Sequence, residues 1–515
     1  MKTESPENLA MRNLILLPAL IVLAFFSAGC KKQGHADSSK EMTWFKIEAA
    51  LNKDFLKSDV VATLKDATWS LSFPFGTKLD KLIPSFSANG RTITVDGAEQ
   101  KSGSSVQDFS KKLLYTVTAE DGTYITYTIN SSVKEEEMIK AVPHIYINTE
   151  NSAPINSKET YVNASIVIDG MNAYKNYEGT TKIKGRGNTT WEDFPKKPYR
   201  LKLDKAAELL GLSSEKDWIL LANYMDYTLM LNAIAMKTGK LLEMPYTFNM
   251  IPVDVTINGK YMGNYMFTEH KEVEKNRINV TDGGVLLELD AYFDEAYKFR
   301  STNYQLPVMI QYPALADMTA SAADAQLNAI KTQFTEFENA VADKSFPDNS
   351  YLDYIDATSL VRFFIVYNLC QNEEINHPKS VYIHQHKGGK YNLGPIWDFD
   401  WAFDYEGKYK YFTDFNKYLF WSGNKALEGT RFFSRFLLDP KIKSLYKTEW
   451  NRFRTQKFSS LLAYLDDYAS VITESQKKDY AVWKRGNGDF KTDVQKLRTW
   501  LQNRASYIDN YVSGF

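Results

Sequence analysis

The sequence predicts an α+β protein in which an N-terminal β-sandwich is followed by a larger, two-lobed domain. Alternating apolar and polar residues, typical of half-buried strands, recur between about Thr43 and Leu289. From about Ala314 onward, apolar residues recur at helical spacing instead. The 515 residues, of which 44% are hydrophobic and 24% charged, are enough for two or three globular domains with real cores. A strand-rich half followed by a helix-rich half indicates two lobes, with a cleft between them for a ligand.

The N-terminus resembles the signal sequence of a bacterial lipoprotein. One arginine precedes an apolar run over residues 14–26, which is shorter than the roughly 20 residues that a membrane-spanning helix needs. Small residues at 27–29 precede Cys30, as in a lipobox, with serine where leucine is more common. We therefore predict a signal peptide over residues 1–30, a lipid on Cys30 that anchors the protein to a membrane, and a polar tether over residues 31–41.

Charge and cysteine content narrow the partners and the location. The net charge is -1 with no basic block, so the sequence predicts no nucleic-acid partner. If Cys30 carries lipid, Cys370 is the one cysteine left, which excludes an intrachain disulfide and suggests a buried apolar residue. We predict a bacterial cell-envelope location on the outer membrane. The lysines after Cys30 favour the periplasm-facing side over the surface.

Residues 42–135 read as short strands. "LLYTVTAEDGTYITYTINSSV" is two alternating runs joined through Asp121-Gly122, a tight hairpin signal. The segment resembles the immunoglobulin-like repeats at the start of many Bacteroidetes surface lipoproteins. We predict an immunoglobulin-like β-sandwich that acts as a spacer.

A charged linker over Val133–Val142 leads into a second domain, predicted over residues 143–515. Strand-like runs continue to about Leu289, and Asn258-Gly259 marks another hairpin. Between these strands, "MDYTLMLNAIAMKTGKLLEM" reads as a helix that Gly239-Lys240 closes. Four further helical stretches follow. They are "AQLNAIKTQFTEFENAVA", "TSLVRFFIVYNLCQ", "RFFSRFLLDPKIKSLYKTEWNRFR" and "DVQKLRTWLQNRASYIDNYV".

Two stretches of the strand-rich part carry candidate ligand residues. Arg186 lies between two glycines, and Lys196 and Lys197 begin a strand ten residues later. Glycines let a backbone approach a phosphate, and the cations supply counter-charge, but on this stretch alone a hairpin with solvated lysines is the favoured explanation. Glu269 ends an apolar strand, where it could pair with a lysine, accept from a ligand's amine or simply be solvated.

A third candidate stretch is "CQNEEINHPKSVYIHQ". Asn372, Glu373 and Glu374 follow an apolar helix and precede a strand, which places them on a connecting loop. Catalytic residues collect on such loops. The alternative is a helix cap by Asn372 beside exposed glutamates.

The fourth stretch is "GPIWDFDWAFD". Asp398 and Asp400 are two residues apart, so in a strand both carboxylates would face one side and could hold Mg²⁺. Three aromatic residues would face the core on the other side: Trp397, Phe399 and Trp401. An alternating edge strand is the structural alternative.

Together the four stretches resemble the CotH (spore coat protein H) kinase family, an atypical branch of the protein-kinase-like fold. The match runs from about Pro143 to the C-terminus. It includes "KGRGNTTW…FPKKPYRLKL", "KDWILLANYMDYTLMLNAIA", "INGKYMGNYMFTEH", "NEEINHPKSVY" and "GPIWDFDWAF" in the family's order. The resemblance implies ATP and Mg²⁺ (or Mn²⁺) as cofactors and phosphate transfer to Ser or Thr of an exported protein.

The resemblance also implies roles for single residues. Asp398, with Asp400 beside it, would hold the metal on the ATP phosphates. Lys196 or Lys197 would contact phosphate with Arg186 nearby, and Glu269 would face the nucleotide cleft. Glu374 would orient the attacking hydroxyl.

The chain departs from the family at two positions. Spore-coat members have Asp where this chain has Glu374, and a metal-binding Asn where it has Lys379. The lysine could replace one metal ion, or the site could be inactive. A kinase-like envelope or surface module that binds protein or glycan is therefore the alternative function. A glycoside hydrolase with Glu374 and Asp398 as its carboxylate pair is a third, which the family resemblance opposes.

Overall fold

The computed structural model describes residues 36–56, 59–74, 77–133, 139–280, 283–420 and 426–515. The predicted signal peptide, Cys30, the first part of the tether (31–35) and the middle of the charged linker (134–138) lie outside these ranges. The chain divides into two compact units, one up to Glu135 and one from Glu136 onward. Within the described ranges, no helix combines the length and apolar character needed to cross a membrane.

The first unit consists of two β-sheets around one hydrophobic core. β1, β2 and β5 form a three-stranded sheet in the order β2-β1-β5, and six strands form the other in the order β3-β4-β9-β8-β6-β7. Phe45 of the small sheet and Tyr115 of the large one meet edge to face at 5.3 Å in the shared core. The strands are β1 (Met42–Ile47), β2 (Val60–Val61), β3 (Thr63–Lys65), β4 (Thr68–Phe73), β5 (Pro84–Ala88), β6 (Thr92–Val95), β7 (Ala98–Glu99), β8 (Leu113–Thr118) and β9 (Tyr124–Val133).

The β8–β9 pair contains the predicted hairpin. Leu113 lies opposite Ile129 and Thr118 opposite Tyr124, so the antiparallel register runs through the Asp121-Gly122 turn. This part of the chain is β-rich as predicted, whereas its immunoglobulin-like topology stays a prediction.

The strand-rich part of the second unit closes into a seven-stranded barrel. Its neighbours are antiparallel except β10 and β15, whose parallel pairing closes the ring in the order β10-β11-β12-β13-β14-β16-β15. Alternate side chains such as Ile145, Ile166 and Leu201 fill the interior. The strands are β10 (His144–Thr149), β11 (Val162–Asp169), β12 (Tyr177–Gly185), β13 (Tyr199–Ala207), β14 (Glu215–Leu221), β15 (Ile251–Ile257) and β16 (Lys260–Glu269). The β15–β16 turn at Asn258-Gly259 confirms the second predicted hairpin.

A second sheet and most of the helices share a separate, larger core in the same unit. The sheet has the order β18-β19-β17-β20-β21. Its strands are β17 (Val285–Leu289), β18 (Lys298–Arg300), β19 (Pro307–Tyr312), β20 (Val381–Gln385) and β21 (Asn392–Leu393). The helices are α1 (Thr189–Glu192), α2 (Leu231–Leu241), α3 (Ala320–Ala342), α4 (Ala357–Leu369), α5 (Glu428–Phe436), α6 (Pro440–Gln456), α7 (Phe458–Trp483) and α8 (Phe490–Ser513). The unit is thus mixed α+β, and its description as a two-lobed kinase fold stays a prediction.

Side-chain caps explain where several helices begin. Asp356 accepts a hydrogen bond from the Ser359 backbone N–H at 2.7 Å and starts α4. Asp439 accepts from the Lys441 N–H at 2.7 Å, just before a proline at the first turn of α6. This cap splits one predicted helical stretch into α5 and α6.

Two helix predictions were wrong in detail. Gly239 does not close α2 but lies inside it, where an added Cβ would come within 2.8 Å of the Ile396 side chain. The glycine therefore permits close packing against the segment that precedes Asp398, rather than a helix stop. Helix α7, 26 residues long, was not predicted at all.

Candidate functional site

A cavity of about 230 Å³ in the second unit gathers six of the eight site residues that the sequence predicts. They come from positions more than 200 residues apart and include the three predicted catalytic carboxylates. The six are Arg186, Lys196, Glu374, Lys379, Asp398 and Asp400. Lys197 and Glu269 are absent from the lining.

The aspartate segment is not the strand that the alternating pattern predicts. Residues 394–399 have no regular secondary structure, and Asp398 adopts a left-handed backbone with φ of 60°. Asn232 of α2 positions the segment, because its Oδ1 accepts from the Phe399 N–H at 2.8 Å and its Nδ2 donates to Asp400 at 2.5 Å. The two carboxylates therefore share the cavity through a helix-anchored turn rather than through a strand face.

The aromatic residues around the two aspartates do not all face the core either. Phe399 is fully buried, as predicted. Trp397 and Trp401 instead line the cavity beside the carboxylates, although Trp397 is also largely buried.

Asp398 and Asp400 differ in their surroundings. Asp398 is exposed, whereas Asp400 is partly buried. Burial, and next the neighbouring charge of Asp398, raise the pKa of Asp400 to about 8, although the Asn232 hydrogen bond opposes this. In the free protein at neutral pH, Asp400 therefore holds a proton.

The predicted catalytic loop is a short 3₁₀ turn that buries its glutamate. Asn372 caps the turn, accepting from the Glu374 N–H at 3.1 Å, and its Nδ2 donates to the Asp398 carbonyl at 3.2 Å. Glu374 is 7% exposed, and burial followed by repulsion from Asp398 raises its pKa well above the usual value. Asn372 thus ties the two acidic segments together, and Glu374 is not the exposed residue of the capping alternative.

Lys379 lies in the same cavity as an ammonium held by aromatic rings. Its Nζ is 4.5 Å from the ring centre of Trp401 and 4.9 Å from that of Tyr292. In the part of the chain that the structure describes, no carboxylate lies within 4.0 Å of this ammonium. Its charge still acts on Glu374, whose pKa it lowers against the larger effect of burial.

Arg186 supplies the second cation without an ion pair among the described residues. Its guanidinium lies 6.0 Å from the ring centre of Trp397, and burial lowers its pKa against the attraction of Asp398 and Asp400. The adjacent glycines do not form an open phosphate cradle. An added Cβ at Gly185 would lie 2.3 Å from the Trp191 ring, and Gly187 adopts φ of 84° in the turn. Gly185 therefore serves local packing, whereas Gly187 and Arg186 both line the cavity.

Lys196 and Lys197 do not begin a strand as predicted, because β13 starts only at Tyr199, and both have partners within the protein. Lys196 is 1% exposed and donates at 2.6 Å both to Asp479 of α7 and to the Asn264 carbonyl of β16. Lys197 donates to the Trp191 carbonyl and lies over that residue's ring. The Lys196 ammonium therefore ties this segment to β16 and α7, and the Lys197 ammonium is held within the segment itself.

Glu269 ends β16 as predicted, but its carboxylate is hydrogen-bonded within the protein. Its carboxylate accepts from the Asn249 backbone N–H at 2.9 Å and from the Asn249 side chain at 2.5 Å. The structure therefore does not bring Glu269 to the cavity with the other predicted residues.

Sequence reasoning missed two features of the cavity wall. Lys271 and Glu288 form an ion pair at 3.2 Å, with Tyr382 bonded to both, and burial raises the pKa of Glu288 to about 7. A lone acid inside the apolar run of β17 was the available signal. Asn223 is 3% exposed, and neither atom of its amide has a hydrogen-bond partner among the described residues.

The donor set fits one divalent cation shared with a nucleotide. No cluster of three or more His, Cys, Asp or Glu side chains arranged for a metal occurs in the described ranges. Proteins hold Mg²⁺ through one or two carboxylates when phosphates complete its coordination, and Asp398 and Asp400 meet that requirement. Arg186 and Lys379 provide counter-charge for phosphate oxygens.

Comparisons with known proteins follow the same division of the chain. Residues 183–508 match the family model described as CotH kinase protein, and residues 55–130 match the model described as SGBP, N-terminal. A search of curated proteins finds no match. Among solved structures, a proposed glycoside hydrolase from Bacteroides thetaiotaomicron aligns at 14% identity with a TM-score of 0.16, covering 55% of this chain and 76% of that one. Since the CotH model matches well over half of the residues, the chain belongs to the CotH kinase protein family.

Proposed function

We propose that the protein is an envelope-located, CotH-type phosphotransferase that moves the terminal phosphate of ATP to Ser or Thr of an exported protein. The observation that carries this proposal is the convergence of Arg186, Glu374, Lys379, Asp398 and Asp400 on one cavity. Membership of the CotH kinase family supports ATP and a divalent metal ion as cofactors.

The cavity residues would act by positioning and by charge neutralisation, which dominate phosphoryl transfer. Asp398 and Asp400 would hold the metal ion, and this requires Asp400 to lose its proton as the complex forms. The bound metal ion would neutralise charge on the phosphate oxygens. Arg186 and Lys379 would contact the transferred phosphoryl group. Glu374, which like Asp400 must first lose the proton that its raised pKa favours, would accept a hydrogen bond from the acceptor hydroxyl and then its proton, as the hydroxyl oxygen bonds to phosphorus and ADP leaves.

A second candidate function keeps the fold without the chemistry: an envelope or surface module that binds protein or glycan. Lys379 at the position of a metal-binding asparagine favours it, because an ammonium repels a second metal ion. The SGBP N-terminal match over residues 55–130 also favours it, since that module type is associated with glycan binding in Bacteroidetes. On either function, we propose that a lipid on Cys30 anchors the protein to the membrane.

The test is nucleotide binding and phosphate transfer by the full chain with Mg²⁺ or Mn²⁺, measured separately. Calorimetry would report ATP binding, and labelled ATP with dephosphorylated casein would report transfer. Asp398→Ala should lower both by about 100-fold, as expected when one charge-stabilising group of an active site is lost. Asp294→Ala, an exposed carboxylate at the edge of the same cavity, is the matched control and should change little.

The outcomes separate the two candidates. Metal-dependent binding and transfer, both lost in Asp398→Ala, would establish the phosphotransferase. Absence of nucleotide binding in every variant would reject it and leave the binding module.

A further inference from the structure

Three partly exposed aromatic residues form a rim at one edge of the cavity. This aromatic rim consists of Phe194, Tyr224 and Tyr409. Phe194 lies 5.4 Å from Tyr224 and 6.2 Å from Tyr409 between ring centres, and Tyr224 itself lines the cavity. The residues come from three distant stretches, and none of the predicted site residues belongs to the rim.

Arg485 lies flat on this rim. Its guanidinium carbon is 3.6 Å from the ring centre of Tyr409 and 4.9 Å from that of Tyr224, and its Nε donates to the Tyr224 carbonyl at 3.1 Å. Across the described ranges, no carboxylate lies within 4.0 Å of Arg485, and neither terminal nitrogen donates a hydrogen bond. A guanidinium fixed by stacking, with both terminal nitrogens available, matches a carboxylate in two parallel hydrogen bonds.

The backbone around Arg485 is held in place. Helix α7 ends at Trp483, whose indole donates to the Met262 carbonyl at 2.8 Å, and Lys484 caps the helix in the left-handed region. Gly486 adopts φ of 85°, where an added Cβ would lie 3.1 Å from the Tyr227 side chain. Because little ordering remains to be done on binding, Arg485 is preorganised for a ligand.

The charges of the cavity decide what kind of ligand carries the carboxylate. Glu374, which the proposed function places beside the acceptor, shares the cavity with Asp398 and Asp400, so a neutral hydroxyl suits that position better than a carboxylate. A polyuronate brings a carboxylate on every sugar, including the one that would enter. A polypeptide can place a neutral Ser or Thr in the cavity and an acidic residue outside it. Neutral sugars are disfavoured too, because Arg485 already covers a face of Tyr409.

We propose that Arg485 and the aromatic rim bind an Asp or Glu side chain of the acceptor polypeptide, flanking the Ser or Thr that enters the cavity. This inference rests on the proposed phosphotransferase function. It makes the protein selective for acidic sequences and gives Arg485 the role of a specificity-determining residue.

The test is peptide binding to the full chain without nucleotide, followed by fluorescence anisotropy. Labelled alanine-rich peptides carry one Ser and one Glu at about two to five residues on either side, spacings that span the rim in an extended chain. Each has a Gln counterpart. At one spacing, the Glu peptide should bind at least tenfold more tightly than its Gln counterpart. Arg485→Gln should abolish this preference, and Lys484→Gln, the exposed neighbour, should keep it.

Equal affinity for Glu and Gln peptides in the wild type would overturn the proposal, as would an unchanged preference in Arg485→Gln. Tighter binding of oligogalacturonate than of either peptide would overturn the polypeptide assignment, and absence of binding at about 1 mM would overturn the site.

Phosphotransfer to the same peptides is scored independently, in parallel samples that contain labelled ATP and Mg²⁺. Arg485-dependent binding without transfer would leave the acidic-peptide site standing on a non-catalytic module. Equal phosphate transfer to the Glu and Gln peptides would support the phosphotransferase function and reject the proposed Arg485 site.

Discussion

Two corners of one cavity each contain a lysine that the sequence predicts as a ligand residue, yet their environments are opposite. At the Lys196 corner, the ammonium is 1% exposed and paired at 2.6 Å with Asp479. At the Lys379 corner, the ammonium is partly exposed and contacts two aromatic rings, with no carboxylate of the described chain within ion-pair distance. Both residues line the cavity.

The difference shows that lining a cavity does not make a charge available to a ligand. The Lys196 ammonium already uses two of its three N–H groups within the protein, and its charge is compensated by Asp479, so little of it is left for a phosphate. Removing one partner of such a buried pair is strongly destabilising. An ammonium over aromatic rings keeps its three N–H groups for a ligand while the rings fix its position. We therefore assign the Lys196 corner to folding and the Lys379 corner to binding, and four variants test this assignment.

Asp479→Ala should have the largest effect, because it leaves the buried Lys196 charge without its partner. We expect the free energy of unfolding to fall by about 3–5 kcal/mol in urea denaturation. Lys196→Met combined with Asp479→Leu removes both charges and should recover most of that loss. A loss below about 1 kcal/mol for Asp479→Ala would mean that Lys196 is not a folding residue.

Asn232→Ala tests whether Asn232 anchors the segment that carries Asp398 and Asp400, which line the same cavity as Lys379. The Phe399 N–H would lose its acceptor inside the protein, so we expect a loss of about 1–3 kcal/mol in urea denaturation. Asp398 and Asp400 should also lose their mutual placement, which would weaken metal-dependent nucleotide binding. Asn510→Ala, at an exposed position of α8, is the control. Unchanged stability and binding would contradict the anchoring role.

The pKa of Asp400, raised to about 8 mainly by burial, predicts a pH-dependent stability. In the folded protein, Asp400 keeps a proton that it releases near pH 4 in the unfolded chain. The stabilisation that results from this difference is complete at acidic pH and is lost as pH rises toward 8. As pH rises from about 6 to 9, the free energy of unfolding of Asp400→Asn should fall by roughly 1–2 kcal/mol less than that of the wild type. This figure allows for solvent screening. Parallel pH profiles would contradict this, and Asp294→Asn is the control.

Lys379→Asn should have the smallest effect and bears directly on binding. It removes one cation from the phosphate side and restores the amide that the family uses as a metal ligand. We expect ATP binding without metal to weaken about fivefold and its dependence on Mg²⁺ to increase, as for loss of one partly exposed charge contact. Lys491→Asn, an exposed change elsewhere, should alter neither value. Unchanged metal-free binding would show that Lys379 does not contact the nucleotide.

Local patterns predicted most elements, and long-range pairing produced the surprises. The Asp121-Gly122 and Asn258-Gly259 turns were predictable because turn chemistry resides in two residues. Barrel closure was not, because it depends on parallel pairing between His144 and Asp254, more than 100 residues apart. Helix α7 was missed although Leu461, Leu465 and Ile472 keep helical spacing, since its Ser, Asp and Thr residues also suit loops.

The candidate site shows the same contrast between what local motifs predict and what long-range contacts decide. Arg186, Glu374 and Asp398 were predicted from motifs that resemble those of the CotH family, and the structure places all three in one cavity. Lys197 precedes β13 and bonds the Trp191 carbonyl instead, which no local pattern indicates. Glu269 ends β16, where neighbouring residues point to opposite faces and only the three-dimensional partners decide which face meets the cavity. The Lys271–Glu288 pair joins two segments that no local pattern relates.

The left-handed backbone at Asp398 means that stability and activity compete at this position. A non-glycine residue with φ of 60° costs about 1 kcal/mol, and the Asp398 charge also disfavours ionisation of Glu374 and Asp400, whose pKa values it raises. Asp398→Gly removes both the strain and the charge, whereas Asp398→Asn removes only the charge, so the difference in Tm between the two reports the strain relieved less the extra conformational entropy of glycine in the unfolded chain. A library selected for heat resistance alone would drift to glycine here, and one selected for nucleotide binding would retain aspartate.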